Sequence, residues 1–404
     1  MTQIVQVSSG TGRASDARII GLVSAAHFVS HFYILILPPL FAFVRADYAV
    51  SYTELGLALT VFNAVSAVLQ TPAGFLADRI GAATILVAGL VLGGAAFVLA
   101  GLVDSFWFLV AMFALAGLGN TVYHPADYAI LAHHLSPARL GPGFSIHTSS
   151  GMLGSAAAPV ALLMLQSLFG WRGAFIASGA LGLVVAAVLI LQRDALGDRD
   201  PGGDHRPPAA SAAGTAMDLL LSGPILRNLL FFVMLAITGS VQNYAPVALD
   251  ALFATPLAVG NSALSAFLLL SAIGVLAGGW LTTRTNRHAM VAAVGLVVTA
   301  GTSALIGAVD LGAILLVLIM SLSGFFNGVI MPSRDMIVRS VTPPGSFGKV
   351  FGFVTTGFNI GGIVSPLLFG WLLDGGHPRA IFMLVAAAAL VSILTVLTGG
   401  PGRM

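Results

Sequence analysis

The sequence has no cysteine, which excludes disulfide staples, thiolate metal centres and cysteine nucleophiles and leaves the redox compartment open. Charge is nearly as scarce. Asp, Glu, Lys and Arg make up 8% of the 404 residues, against about 25% in soluble domains. A water-exposed surface cannot be built from that supply, so a soluble enzyme and a disordered chain are both excluded. Only 17 residues are Lys or Arg and none of them cluster into a basic patch, which removes nucleic acid as a partner. The net charge of +2 gives no steering toward acidic partners. No Gly-x-x-x-x-Gly-Lys-Ser/Thr loop occurs, so ATP drive is not expected. No spacing marks a nucleophile–base pair, and no enzymatic activity, cofactor or resident metal is expected.

What is present is apolar: 57% of residues are hydrophobic and the mean hydropathy is +0.99. A helix needs about 20 apolar residues to cross a bilayer. Twelve such segments are read at 18–43, 52–76, 83–103, 106–131, 142–168, 172–192, 225–250, 261–283, 288–308, 311–337, 347–373 and 378–398. The short alternating segments of a transmembrane barrel are missing. The expected class is therefore an all-α integral membrane protein with twelve transmembrane helices. The polar first eighteen residues read as a cytosolic tail, not a signal peptide.

Basic residues set the orientation. With the N-terminus inside, thirteen of them fall on the cytoplasmic side and only Arg45, Arg172 and Arg379 on the other, with Arg334 inside a span. Both termini are thus expected in the cytoplasm of a multi-pass protein of the plasma (inner) membrane. Residues 193–222, rich in Gly, Pro, Ala and charge, read as a flexible cytoplasmic linker. It separates an N-terminal six-helix bundle, 1–192, from a C-terminal one, 223–404.

The halves repeat each other. GLGNTVYHPADYAI (117–130) aligns with GFFNGVIMPSRDMI (324–337) at a shift of 207, pairing Gly117 with Gly324, Asn120 with Asn327 and Pro125 with Pro332. The same shift pairs Gly154 with Gly361, Pro159 with Pro366, Arg172 with Arg379 and Phe175 with Phe382. A two-residue adjustment pairs GFLADRIG (74–81) with GWLTTRTN (279–286). Six helices separate the copies, so the halves share one membrane orientation, a parallel repeat.

Twelve spans, the repeat, the central loop and GFLADRIG after the second span resemble the major facilitator superfamily across nearly the whole chain. Gly74, Leu76, Ala77, Asp78, Arg79 and Gly81 match its loop signature; the trailing basic positions are Ala82 and Ala83. The resemblance implies two parallel six-helix bundles around a central cavity. It also implies a conformational latch of Gly74, Asp78 and Arg79, with the carboxylate meeting a helix N-terminus of the other half. Two passages, 30–41 and 123–159, are similar to the fosmidomycin-resistance group of efflux proteins. Tyr123, His124 and Pro125 match that group's fourth-helix stretch. Ala126 stands in the acidic position and Asp127 follows one residue later, about 100° around the helix.

An ionisable side chain at the bilayer centre costs about 2.5–3.5 kcal/mol on insertion scales, so such residues point to function. His27 and His31 share a face of the first span at i,i+4. His124 and Asp127 stack on the fourth at i,i+3, and His147 lies in the fifth beside Thr148, Ser149 and Ser150. Three readings stand: proton exchange by His27, His31, His124 and Asp127; binding of a substrate or metal chelate by the imidazoles; or hydrogen-bonded packing. For His147 alone, packing is favoured. In the second half, Arg334 either holds an anionic group in its fork of donors or pairs structurally with Asp335. Gln242, Asn243 and Tyr244 precede Pro246 as a polar break in the seventh span, which by the resemblance faces the cavity. Substrate contact is expected from His31, Tyr33, Tyr123, Gln242, Asn243, Tyr244, Arg334 and Asn359, while matched Asn120 and Asn327 suit helix–helix hydrogen bonding.

The expectation is a secondary transporter, working as a single chain, that moves a small polar or anionic compound by alternating access, with proton-coupled efflux as the first reading. The alternatives are proton-coupled uptake of a small organic anion and transport of a metal or metal chelate.

Overall fold

The computed structural model describes residues 11–197, 218–343 and 347–398, and of residues 11–15, 71, 78, 137–138 and 347–349 it describes the backbone alone. Among the described residues the chain is helical, with no strand. Lipid leaves no alternative, since every backbone donor and acceptor must be satisfied within the segment that crosses.

Span 1 comprises Thr11–Ile34 and Phe41–Tyr48, span 2 Tyr52–Ile80, span 3 Ala82–Leu102, and span 4 Phe106–Asn120 with Tyr123–His134. Spans 5 and 6 run as one stretch, Pro137–Leu191, of 55 residues. A straight helix of that length would reach about 80 Å, against about 30 Å of hydrocarbon. Gly170, at φ 71 and ψ 170, breaks it in two, a conformation open to glycine because it lacks Cβ. Span 7 is Gly223–Gly239 with Val241–Phe253, span 8 Leu257–Thr282, span 9 His288–Ala308, span 10 Gly312–Ser340, span 11 Phe347–Asp374 and span 12 Pro378–Leu397. The described spans agree with those read from the sequence, apart from the ends of the first. The expected linker, 193–222, lies largely outside the described residues.

The two halves are built alike. Span 1 packs on span 5, span 2 on span 4 and span 3 on span 6; the counterparts 7 on 11, 8 on 10 and 9 on 12 do the same. The repeat is visible atom by atom. A Cβ at Gly117 would lie 2.6 Å from the Phe62 carbonyl oxygen, and one at Gly324 would strike the backbone of Phe267. Phe62 and Phe267 are related by the same shift, 205, as the GFLADRIG and GWLTTRTN segments. Arg172 reaches the Val103 carbonyl at the end of span 3, and Arg379 reaches that of Gly307 near the end of span 9. Phe175 and Phe382 are both fully buried.

Spans 1 and 7 are both broken at matching depth. In span 1, Pro38 and Pro39 lack amide donors and disfavour helix before them, so residues 38–40 form a short 3₁₀ turn. In span 7 the axis bends by 40° between Gly239 and Val241. Each then ends on an alanine in the left-handed region, Ala49 (φ 52) and Ala254 (φ 51), a geometry disfavoured for a residue with Cβ. The same unusual ending 205 residues apart marks it as a property of the repeat.

Because spans 8 and 10 touch backbone to backbone at Gly324, Gly324→Ala should lower the unfolding temperature of the purified protein, an overpacking cost of about 1–3 kcal/mol. Gly301→Ala, where nothing lies within 4 Å, should leave it unchanged or raise it slightly.

Candidate functional site

The bundles meet along span 2 and span 11, and along span 8 and the helix of spans 5 and 6. The hydrogen bonds across the first seam sit toward the end carrying the turns at 49–51 and 375–377. At the start of span 2 every orphan amide has a partner. Ser51 and Glu54 form a capping box. The two amides it leaves are taken by the other bundle: Asp374 Oδ1 accepts from Tyr52 N at 2.8 Å, and Oδ2 accepts from Thr53 N at 2.8 Å and Thr53 Oγ1 at 2.6 Å. The carboxylate also faces the positive end of the helix dipole. Further in, Thr60 Oγ1 donates to the Ile363 carbonyl at 2.9 Å and Asn63 Nδ2 to that of Gly362 at 2.9 Å. Phe41 packs on Tyr244 across the bundles, ring centres 5.1 Å apart.

Beyond Asn63 the pattern changes. Ser66 turns back into its own bundle, donating to Gly117 O and accepting from Asn120 Nδ2. Among the described residues no further hydrogen bond joins the bundles, and Phe75, Leu76 and Ile80 are exposed. The apolar core divides in the same way. One cluster runs through the N-terminal bundle into Tyr244–Leu249, Ala263–Leu268 and Phe369 of the other half. The opposite end of the C-terminal bundle has its own core around Phe231, Phe232, Ile330 and Val354. The hydrogen bonds described between the bundles thus lie at one end, where the apolar core is also shared.

The N-terminal bundle holds the polar cluster. Span 4 breaks after Asn120 and restarts at Tyr123, which presents His124, Asp127 and Tyr128 to spans 1 and 5. On span 5, His147, Gly151 and Ser155 follow at i, i+4 and i+8 and share a face; the bare Cα of Gly151 lets the His27 and His31 rings lie against that helix. Asp127 Oδ2 lies 3.4 Å from His27 Nδ1 and 3.6 Å from His147 Nε2. The His27 ring centre is 3.9 Å from that of His147, 4.5 Å from His31 and 5.3 Å from His124. His31 Nδ1 is 3.2 Å from Ser155 Oγ, and His124 stacks on Tyr128 at 6.1 Å. Accessibility grades across the group: Asp127, His147 and His27 are buried, His31 is half-buried, and His124 and Tyr128 are exposed. Three of these, His27, Asp127 and His147, offer ligand atoms within 4.8 Å of one another.

Four of the sequence-predicted residues, His27, His31, His124 and Asp127, are thus brought together. His147, for which the sequence favours packing, is buried and stands among them. Its i,i+4,i+8 alignment with Gly151 and Ser155 was the available signal. Tyr123 is buried with its hydroxyl unpartnered. Tyr33 and Tyr244 are buried with their hydroxyls on the Ser178 and Pro366 carbonyls, at 3.1 and 2.6 Å, so both serve helix contacts here. Arg334 is held through Nε and one terminal nitrogen by Asp335, each at 2.8 Å. Its guanidinium lies 5.1 and 5.2 Å from the Phe232 and Phe358 ring centres. Gln242, Asn243 and Asn359 are half-buried. In the loop motif Gly74 is half-buried and Arg79 exposed, while the Asp78 side chain lies outside the described residues. Asp374 went unnoticed in the sequence, where one carboxylate in a loop gives no sign of its distant partner.

The Major Facilitator Superfamily model matches residues 23–257 and 229–402. The fosmidomycin resistance protein of Escherichia coli K12 is 22% identical over 399 residues, 96% of this chain and 94% of that one. The membrane sensor protein UhpC of Salmonella typhimurium LT2 is 23% identical over 380 residues, 88% and 84% of the two chains. A bacterial homolog of the human lysosomal transporter Spinster, solved in an inward-facing and unoccupied conformation, superposes with a TM-score of 0.76 at 15% identity, covering 98% of this chain and all of that one.

The chain lacks cysteine, so one introduced thiol reports the pinned end without background. In a Thr60→Cys protein, adding Asp374→Ala should speed labelling by a membrane-impermeant maleimide about tenfold. That corresponds to loss of about 1.4 kcal/mol of capping; an unchanged rate would show that the carboxylate does not hold this end shut.

Proposed function

The chain belongs to the Major Facilitator Superfamily, a family of membrane transporters, and on that premise we propose that it exports a small polar or anionic compound by alternating access, driven by the proton gradient. The observation that carries this reading is the asymmetry of the seam. Among the described residues, the hydrogen bonds between span 2 and span 11 lie at Tyr52, Thr53, Thr60 and Asn63, all toward one end. That is what a rocking pair of bundles has when one gate is closed and the other open. With the orientation set by the basic residues, the open end faces the cytoplasm, and both termini lie there.

In this state the exposed His124 and Tyr128 line the passage, with Gln242, Asn243 and Asn359 contributed by the second half. The likeness to the fosmidomycin resistance protein supports export. Drive by the proton gradient is supported by the lack of a nucleotide-binding loop in the sequence. A second reading, a sensor that binds without transporting, has the likeness to UhpC in its favour.

Inverted membrane vesicles energised by respiration separate the two. Among a panel of organic anions and zwitterionic drugs, a substrate should collapse the pH gradient only in vesicles carrying the protein. Gly362→Cys paired with Asn63→Cys tests the gate directly: a Cβ at 362 would lie 3.6 Å from Asn63 Cγ, near disulfide range. Oxidation should abolish the response and reduction restore it. A compound that binds and shifts the unfolding temperature yet never moves protons would favour the sensor.

A further inference from the structure

We propose that His27, Asp127 and His147 form a binding site for a first-row transition-metal dication of the zinc, cobalt and nickel class. The distances separate this from a hydrogen-bonded triad. Asp127 Oδ2 is 3.4 Å from His27 Nδ1 and 3.6 Å from His147 Nε2, both beyond the N–H···O range of about 2.7–3.2 Å. Donor atoms about 2.0–2.1 Å from a tetrahedral zinc stand about 3.3–3.4 Å from each other. The edge from Asp127 Oδ2 to His27 Nδ1, 3.4 Å, has that length, the edge to His147 Nε2, 3.6 Å, is slightly longer, and all three donors fall within 4.8 Å of one another.

Burial points the same way. Asp127 and His147 are 0% exposed and His27 3%. Both oxygens of Asp127, both ring nitrogens of His147 and Nδ1 of His27 have no hydrogen-bond partner. Buried polar atoms are nearly always paired, and three of these orphans, Asp127 Oδ2, His27 Nδ1 and His147 Nε2, converge on one another, which indicates a missing central partner. A dication placed among the three serves all of these donors at once. Two imidazoles and one carboxylate suit borderline metals; hard cations such as magnesium and calcium take oxygen ligands. His31 and His124, half-buried and exposed, stand beside His27 and carry nitrogen donors from the dry triad out to solvent, an entry path that a buried site requires. All three ligands come from spans 1, 4 and 5, so the site exists within one bundle, whether or not the protein transports.

The test uses full-length, tag-free protein, purified in detergent and stripped with a chelator. Titration with Co²⁺ should load one ion per chain, produce the intense visible ligand-field bands of a low-coordinate nitrogen–oxygen site, and reverse on adding one equivalent of Zn²⁺. Asp127→Asn and His147→Gln should each weaken loading by more than about tenfold, since even outer partners of metal ligands are worth about 10–100-fold. His133→Gln, at an exposed position, should not change it. X-ray absorption at the zinc edge of the wild-type protein should show imidazole scattering, which keeps the test decisive if a variant fails to fold. Absence of stoichiometric loading, a pale spectrum of an ion surrounded by water, or loading that folded triad variants leave unchanged would overturn the site.

Discussion

Everything in this molecule follows from one demand of the lipid: backbone and side-chain polar groups cannot be left to water and must find partners inside the protein. The demand makes each span helical and makes each interruption of a helix conspicuous. Span 1 breaks at Pro38 and Pro39, span 7 at Ser240 and span 4 after Asn120. Where a helix starts at a membrane surface, its free amides need acceptors. Span 2 meets that need with Ser51 and Glu54 from its own turn and Asp374 from the other bundle. A local requirement of helix ends thereby becomes a contact between halves.

The same demand gives the polar cluster its meaning. A fully buried carboxylate is costly unless paired, and Asp127 is held among imidazoles set too far away for hydrogen bonds. The cluster lies wholly within the N-terminal bundle, while the seam that pins the halves lies between bundles. The polar cluster and the contacts that pin the halves are thus built from separate sets of residues. Span 2 sits next to both, bonded to Gly362 and Ile363 on one side and, through Ser66, to Gly117 and Asn120 on the other.

Much of the fold was legible in the chain. Long apolar segments and scarce charge require a helical membrane protein. The shift of 207 that pairs Gly117 with Gly324 reappears as two equivalent backbone contacts, on Phe62 and Phe267. The site was legible in part. His27 with His31, and His124 with Asp127, could be placed on faces because helical spacing is local. Tyr33 and Tyr244 look like cavity residues in sequence, but their hydroxyls are on backbone carbonyls of neighbouring helices.

By itself the sequence determined what depends on local composition and period: the class, the number of spans, the parallel repeat and the pairs of polar residues along each helix. Only the tertiary structure decided which helix faces meet. It drew His147 to within 3.9 Å of His27 and set Asp374 on the start of span 2 across more than 320 residues. The reason is physical. Spacing along a helix fixes the angle of a side chain about that helix's own axis. The rotation and height of one helix against another come from the packing of glycines and large side chains over the whole bundle, and no short stretch of sequence contains that information.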